Sequence, residues 1–378
     1  MSGLGSIAGQ VQLMPGRPLP TVSSSRPQLA ERVALGVAAD ALPQRLGAVF
    51  TLCSAAHQIA ARRAVAAAQG AALESSIADA QRLRATQARE QVLRITHDWP
   101  RLWALHPVAA QAEAAAAALL RSCPLFDASL DPAAQVASLP GWIGAHWLGM
   151  APEAWLAGHD ADPAGWAARW CEAGQGTVAA ALRARREAAM ALHTPSRPLR
   201  LLDDAPRHLP ELARRMAGDA DFCARPDWAG SPADTGPWTR HHDPHRLPAT
   251  SAWPRLVARV VDVLRLATAG GDQWLAQGAL PLAPGEGVAW VEMARGLLVH
   301  WVRLERGSSG DRVVGCRVLA PTEWNFHPRG VLAEALSGLH GEAAATGARH
   351  LATAFDPCVE FVVHPPMVPH GEGEACTR

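Results

Sequence analysis

Residues 292–301 read EMARGLLVHW, residues 319–329 read LAPTEWNFHPR and residues 356–364 read DPCVEFVVH. Apolar and polar residues alternate over residues 297–305 and again over residues 312–319, and the loop sequence GSSGD lies between the two runs. Two alternating runs joined by a short loop that contains glycine predict a β-hairpin. We therefore expect a small β element in the C-terminal third of the chain.

The sequence upstream of this hairpin has mainly helical periodicity. Apolar residues recur at helical spacing through much of residues 28–120, and again over residues 177–192 and 254–269. Residues 4–14 alternate and predict a short strand, whereas residues 194–253 are rich in Pro, Asp, His and Arg and predict irregular structure. The expected fold class is α+β, mainly α, in which a helical body carries a small β element from the N- and C-terminal parts.

No internal repeat and no linker-like composition divides the sequence. We therefore predict a single domain over residues 1–364. The last residues, 365–378, are rich in Pro, Gly and Glu and contain little that could pack, so we expect a mobile C-terminal tail.

Composition excludes several classes of function. The 378 residues include 35 basic and 35 acidic side chains, and this balance argues against nucleic-acid and membrane-surface binding. No apolar run is long enough to span a bilayer, and the N-terminus lacks the layout of a signal peptide. Seven scattered cysteines, an odd number, favour reduced thiols over a disulfide framework. We expect a soluble cytoplasmic protein.

Cys53 and His57 stand four residues apart at the predicted start of a helix. The positive end of a helix dipole lowers the pKa of a thiol and favours the thiolate that metals bind. Residues four apart also share one helix face. The spacing alone is common by accident, and by itself it favours a small buried cysteine beside a capped histidine over a metal site.

The motifs together resemble those of nickel–iron hydrogenase large subunits. In that family the C-terminal motifs read roughly E-x-P-R-G-x-L-x-H-W, V-P-T-T-W-N-x-x-P-R and D-P-C-x-x-C-x-x-H, and an N-terminal motif reads R-x-C-G-x-C-x-x-x-H. The three stretches quoted above match in order, and AVFTLCSAAH at residues 48–57 matches the N-terminal motif. Weaker similarities are IAGQ at residues 7–10 and TGPWTR at residues 235–240. The resemblance implies the fold of a large subunit.

Departures from the family motifs argue against hydrogen turnover. Phe50 and Phe361 stand where the family has one cysteine of each Cys-x-x-Cys pair, so that only Cys53 and Cys358 remain. A phenyl ring donates nothing to a metal, and nickel would lose half of its thiolate ligands. Ala8 stands at the family's proton-relay glutamate and cannot exchange protons. The resemblance therefore implies a chain that is not an enzyme, with no nickel expected.

Residues that match the family's iron pocket are retained. Guanidinium and hydroxyl donors suit cyanide nitrogens, carbon monoxide suits an apolar wall, and the aspartate of the D-P-C motif could pair with the pocket arginine. His57 and His364 either support the metal ligands through hydrogen bonds or are ordinary capped histidines. By resemblance, the metal ligands are Cys53 and Cys358, and the cofactor-binding residues are Arg295, Leu298, Pro321, Thr322 and Asp356.

The overall pattern resembles the HupK/HoxV family of hydrogenase maturation proteins, which are degenerate relatives of the large subunit. This implies a non-catalytic assembly factor that holds an Fe(CN)2CO group transiently for the immature hydrogenase large subunit. The implied partners are a HypC-type chaperone and a HypD-type scaffold. One alternative is a cofactor-free chaperone or decoy that binds maturation partners. A second alternative is a residual oxidoreductase or hydrogen sensor. This function would need a nickel site, which lacks two cysteine ligands because Phe50 and Phe361 replace them.

Other motifs are interpreted as structural. The sequence RHHDPHR at residues 240–246 suggests a solvated loop more readily than a metal site, because proline breaks any helical facing. Trp301, Trp324 and Asn325 are expected in the core and in turns, and partner surfaces are expected in the diverged segment 123–253. Four further cysteines are expected to be structural, namely Cys123, Cys171, Cys223 and Cys316.

Overall fold

The computed structural model describes residues 8–71, 76–103, 110–308 and 310–366. The helices are α1 (Leu29–Ala34), α2 (Leu42–Val49), α3 (Ser54–Ala68), α4 (Ile77–Leu93), α5 (Trp99–Trp103), α6 (Ala110–Arg121), α7 (Pro132–Ile143), α8 (Pro152–Ala161), α9 (Trp166–Ala173), α10 (Thr177–Arg183), α11 (Arg186–Ala191), α12 (Ala205–Gly218), α13 (Ala252–Ala267), α14 (Pro321–Asn325), α15 (Val331–Ser337) and α16 (Ala344–Phe355). Within these ranges, no helix has both the length and the apolar composition needed to cross a membrane.

The strands form two sheets. They are β1 (Val11–Leu13), β2 (Val22–Ser24), β3 (Gln277–Pro281), β4 (Glu286–Met293), β5 (Gly296–Gly307), β6 (Gly310–Leu319) and β7 (Phe361–Val363). The smaller sheet has the order β2–β1–β7, with β1 antiparallel to β2 and parallel to β7. The larger sheet is antiparallel, in the order β3–β4–β5–β6. The expected fold class is confirmed, and the two ends of the chain do share a β element.

Several elements differ from the sequence-based prediction. The segment predicted to be irregular contains α12, because burial of Leu209, Leu212 and Met216 outweighs the missing donor of Pro210. The predicted hairpin is β5 and β6, but the preceding strands β3 and β4 were missed. The helix predicted over residues 177–192 is divided into α10 and α11. The predicted strand 4–14 is reduced to β1, and its first residues lie outside the described ranges.

Helix α3 carries Cys53 at its N-terminal end and lies against β4 and β5. Small residues allow this close approach: a Cβ atom added at Gly287 would lie 2.4 Å from the carbonyl oxygen of Ala64. Helix α13 is buried along nearly its whole length and carries the fully buried Arg255 and Arg259 into the interior. Since buried guanidinium groups need compensating partners, this packing already points to an internal charge network.

Candidate functional site

The two thiols that lie 305 positions apart in the sequence meet in one region of the fold. Cys53 is the residue before α3, and Cys358 follows α16 in the turn before β7. Both thiols interact electrostatically with Arg26 and Arg295, and with each other. Cys53 is buried, whereas Cys358 is half-buried. The fold therefore brings the two predicted metal ligands to the same charged region.

The pKa expected for Cys53 from its helix position is wrong. Burial raises the pKa of this thiol well above its ordinary value, and the nearby charges of Glu90 and Cys358 raise it further. Arg295 and Arg26 act in the opposite direction but do not compensate. The side chain is only 7% exposed, so loss of hydration outweighs the helix dipole. Without a bound metal, Cys53 is a protonated thiol.

Thr322 binds the second thiol. Its hydroxyl group donates a hydrogen bond to Sγ of Cys358 at 3.2 Å and accepts one from the backbone N–H of Cys358 at 3.4 Å. Thr322 is held in place by α14, which begins with Pro321 in the position where a missing N–H costs nothing. Thr322 therefore lies beside Cys358, and the assignment of Pro321 and Thr322 as cofactor-binding residues stays a prediction.

Arg295 is buried between two carboxylates. Its Nη1 donates to Oε2 of Glu90 at 2.6 Å, and its Nε lies 3.5 Å from Oδ2 of Asp356. Burial alone would lower the pKa of Arg295, but Asp356 and Glu90 more than offset this effect and raise it. The Nε atom itself has no hydrogen-bond partner among the described residues. Arg295 is therefore a charged group that interacts electrostatically with both thiols and has one donor without a hydrogen bond among the described residues.

Asp356 is the centre of a buried ion network. Its carboxylate pairs with Arg94 at 2.7 Å, with Arg259 at 3.1 Å and with Arg295 at 3.5 Å. Burial would raise the pKa of Asp356, but these arginines lower it below the ordinary value. The residue also has a φ of 57°, a left-handed conformation that non-glycine residues rarely adopt. The network therefore fixes the turn that carries Cys358.

Sequence reasoning missed the other charged members of this site. Arg26 donates to Glu323 at 2.5 Å, and both side chains are largely buried. Burial raises the pKa of Glu323, and Glu90 behaves in the same way despite its contact with Arg295. Glu323 lies inside a quoted motif, directly after Thr322, and its position was a usable signal. Arg26 and Glu90 lie in ordinary loop and helical sequence, which contains no signal that they belong to the site.

Two glutamines of α4 hold the backbone before Arg295. The side chain of Gln87 accepts the N–H of Ala294 at 2.7 Å, and the side chain of Gln91 donates to the carbonyl oxygen of Ala294 at 2.8 Å. Both glutamines are fully buried. Their hydrogen bonds fix the position of the Arg295 backbone relative to α4.

The segment TGPWTR packs against the other side of Arg295. The hydroxyl group of Thr235 accepts the N–H of Leu297 at 3.0 Å, and Asn325 bonds to both backbone groups of Thr235. Gly296 has a φ of 132°, and a Cβ atom there would lie 2.7 Å from Thr235. Glycine after Arg295 is therefore required by both backbone conformation and space. Asn325, Trp324 and Trp301 are buried, as expected.

His57 belongs to a buried aromatic stack. Its Nδ1 lies 3.1 Å from Nε2 of His300, and its ring stacks on Phe50 at 4.1 Å. Burial lowers the pKa of His57, and burial lowers that of His300 to about 3. Both rings are therefore neutral. Phe50, at a cysteine position of the resembling family, occupies space beside His57 with an apolar ring.

The remaining predicted residues, Leu298 and His364, lie in the large sheet and beside the small sheet. Leu298 is fully buried in β5, where it pairs with Val291. The imidazole of His364 hydrogen-bonds Gln12, and its backbone N–H binds Leu13, so this residue ties β7 to β1. Its described hydrogen bonds therefore go to the small sheet.

Other candidate ligands do not form a metal cluster. The described ranges contain no group of three or more His, Cys, Asp or Glu side chains that could hold a metal ion. Arg240 of the RHHDPHR segment is fully buried and pairs with Asp262 at 2.7 Å. The cysteines predicted to be structural are all buried and free. Among the described residues, Cys53 and Cys358 therefore belong to no larger group of this kind.

Sequence comparison gives full-length relatives. No family model matches the chain. The hydrogenase expression/formation protein HoxV of Cupriavidus necator is 38% identical over 371 residues, which cover 95% of this chain and 96% of that protein. The hydrogenase expression/formation protein HupK of Azotobacter vinelandii is 31% identical over 366 residues, which cover 92% of each chain. The chain belongs to the HoxV/HupK family.

Comparison of structures places this HoxV/HupK member in a known fold. The nickel–iron–selenium hydrogenase from D. vulgaris Hildenborough matches with a TM-score of 0.55 and 16% identity, covering 89% of this chain and 92% of that one. At this identity the likeness concerns the fold alone. The HoxV/HupK chain therefore shares the fold of hydrogenase large subunits, as the motifs indicated.

Proposed function

We propose that this HoxV/HupK family member is a non-catalytic assembly factor for nickel–iron hydrogenase. It holds an Fe(CN)2CO group as cargo at Cys53 and Cys358 and passes it to the immature large subunit. The observation that carries this proposal is the convergence of the two thiols beside Arg295, while Phe50 and Phe361 stand at the other two cysteine positions. A set of two thiolates, instead of the family's four cysteines, suits a carrier that must also release its cargo.

The residues around the thiols suit the chemistry of this cargo. Thiols bind metals as thiolates, so loading releases the proton of Cys53. The unused Nε donor of Arg295 suits a cyanide nitrogen, because charged donors make the stronger hydrogen bonds. The buried side chain of Leu298 supplies an apolar wall for carbon monoxide. The two thiolates give no complete set of nickel ligands.

A HypC-type chaperone and a HypD-type scaffold are the proposed donors of the cargo, and the immature large subunit is its acceptor. The alternative is a cofactor-free chaperone or decoy that binds the same partners. One observation favours this alternative: burial raises the pKa of Cys53, which makes its thiolate costly before metal binding. The two functions differ in whether the thiols are needed.

Infrared spectroscopy with iron and nickel analysis tests the proposal. The protein is purified without oxygen from a host that produces the maturation machinery. Cyanide and carbonyl bands with iron but without nickel are expected, and they should disappear in Cys53→Ser and Cys358→Ser. Cys316→Ser is the matched control, since this thiol is also buried but lies in β6. Bands that survive both site substitutions would refute the two-thiolate site.

Two further outcomes have definite meanings. Protein without bands or iron that still copurifies with maturation partners, with unchanged copurification in Cys53→Ser and Cys358→Ser, would support the chaperone. Nickel bound at one atom per chain would contradict the interpretation that Phe50 and Phe361 abolish the nickel site by replacing two cysteines.

A further inference from the structure

A second group of basic side chains lies outside the thiol site. Arg200, His241 and Arg246 line a narrow cleft whose inner wall includes Thr235 and Thr239. The cleft has a volume of about 10 Å³, which is room for about one oxygen-sized group. His241 and Arg246 belong to the RHHDPHR segment, whose side chains the proposed cargo site does not use.

The donors in this cleft lack partners. Nη1 of Arg200 and Nδ1 of His241 are buried and have no hydrogen-bond partner among the described residues. Burial lowers the pKa of Arg200, and the charge of Arg246 lowers it further, so the two guanidinium groups repel each other. A negatively charged group placed between these guanidinium groups would reduce their repulsion and could accept hydrogen bonds from the unused donors.

The nearby carboxylates do not form hydrogen bonds with these donors. Oδ1 of Asp203 lies 3.8 Å from Nδ1 of His241 and 3.9 Å from Nη1 of Arg246, beyond hydrogen-bond distance. Glu292 uses its two oxygens to accept the backbone N–H groups of His241 at 3.0 Å and Ala276 at 2.9 Å. Two carboxylates, Asp203 and Glu292, therefore line the cleft together with Arg200, His241 and Arg246, but neither makes a described hydrogen bond to those three basic side chains.

We propose that this cleft binds a small oxyanion, a carboxylate or a phosphate, through Arg200, His241 and Arg246. One oxygen of the anion enters the cleft, and the rest stays at the mouth. Planar guanidinium groups bind both kinds of oxyanion through paired N–H donors, which makes them suited to this ligand class. The proposal is independent of the cargo proposed for the thiols.

Binding here would also support the thiol site from a distance. The inner wall is formed by Thr235, whose hydroxyl group accepts the N–H of Leu297, two residues after Arg295. An anion held by Arg200 and by the 241–246 segment would join two chain segments that flank Thr235. It should therefore stabilise the folded chain against unfolding by mass action.

Calorimetric titration and thermal unfolding of the full chain test the proposal, with inorganic phosphate and formate as separate probes. Chloride at the same ionic strength is the control for general screening. We expect saturable binding and a saturable rise in Tm with phosphate, with formate or with both, and no comparable effect of chloride. The probe that binds more tightly identifies the source as phosphate or carboxylate. Equal, unsaturated responses to all three salts would overturn the proposal.

Matched substitutions locate the binding site. Arg200→Gln combined with Arg246→Gln should weaken binding about tenfold or more, since charged hydrogen bonds are lost. Asp203→Asn should tighten binding several-fold, because it removes the carboxylate that competes with the anion for the basic side chains. This increase in affinity can be measured even if the double arginine variant does not fold. The control Arg207→Gln removes an exposed arginine that pairs with Asp204. Unchanged affinity in Asp203→Asn and in the double variant would refute the site.

Discussion

Asp356 is the residue on which most charges of the thiol site depend. Replacement by alanine leaves the buried guanidinium groups of Arg259 and Arg295 without this carboxylate. Removing one partner of a buried pair costs about 3–5 kcal/mol, so we expect a loss of this size in the free energy of unfolding. Asp98→Ala, which removes the half-exposed partner of Arg94, should cost less than about 1 kcal/mol.

Urea unfolding of both variants at pH 7 measures this difference. The charge effect also has a pH dependence. The arginines lower the folded pKa of Asp356, so its stabilising contribution is present above the unfolded pKa of about 3.9 and is lost as the pH falls through the lower folded value. Equal stability losses in Asp356→Ala and Asp98→Ala would contradict the central role of Asp356.

The thiols differ in accessibility, which can be measured directly. Cys358 is half-buried, whereas the other described cysteines are buried. Burial raises the pKa of Cys123 to about 11 and that of Cys223 and Cys316 to about 12, which makes these thiols unreactive near pH 8. The sequence also has Cys376, in the C-terminal segment expected to be a mobile tail, and this residue is first changed to serine. In that background, we expect one fast-reacting thiol with an aromatic disulfide reagent. The fast phase should vanish when Cys358 is also changed to serine; its persistence would show that another thiol is open.

At the scale of elements, α4 supports the segment that carries Arg295. Gln87→Leu leaves the buried N–H of Ala294 without its acceptor, and an unsatisfied buried donor costs about 1–3 kcal/mol. Gln81→Leu, at a half-buried position on the same helix, is the matched control and should have little effect. Denaturant unfolding gives the stability of each. Similar values for the two variants would mean that α4 does not hold this segment.

Elements were predictable where one physical pattern dominates. The strands β5 and β6 alternate between buried and exposed residues only near their shared turn, where the loop sequence GSSGD marks the hairpin, and α3 and α6 consist largely of alanine and other good helix formers. Helix α12 was missed because its two prolines argue against a helix. Its apolar face becomes evident only in the structure, where it packs into the smaller of two hydrophobic clusters. The strand β4 was missed because it is buried on both faces and lacks alternation.

The stability of the whole molecule should depend on buried neutral histidines. Burial lowers the pKa of His300 to about 3, far below the unfolded value of about 6.5. The unfolded chain therefore binds a proton that the native chain does not, and stability falls as the pH drops below about 6.5. Between pH 7.5 and 5.5 the loss is about 1.4 kcal/mol for this residue.

The difference between wild type and His300→Gln isolates this contribution. Burial raises the pKa values of Glu90, Glu292 and Glu323, and these carboxylates act in the opposite direction in both proteins. The variant should lose about 1.4 kcal/mol less stability than wild type over the same pH range. His146→Gln, at an exposed position, should follow the wild type. An unchanged pH slope in His300→Gln would contradict the prediction.

The sequence by itself determined the family fold, the pair Cys53 and Cys358, and the loss of two cysteine positions to Phe50 and Phe361, because motif order and residue chemistry are local properties. Only the tertiary structure decided that Cys53 is buried and protonated, since its pKa depends on hydration and on Glu90. Arg26, Arg94 and Arg259 were also invisible in sequence. Charges from distant segments act together only when folding brings them within a few ångströms in a low-dielectric interior.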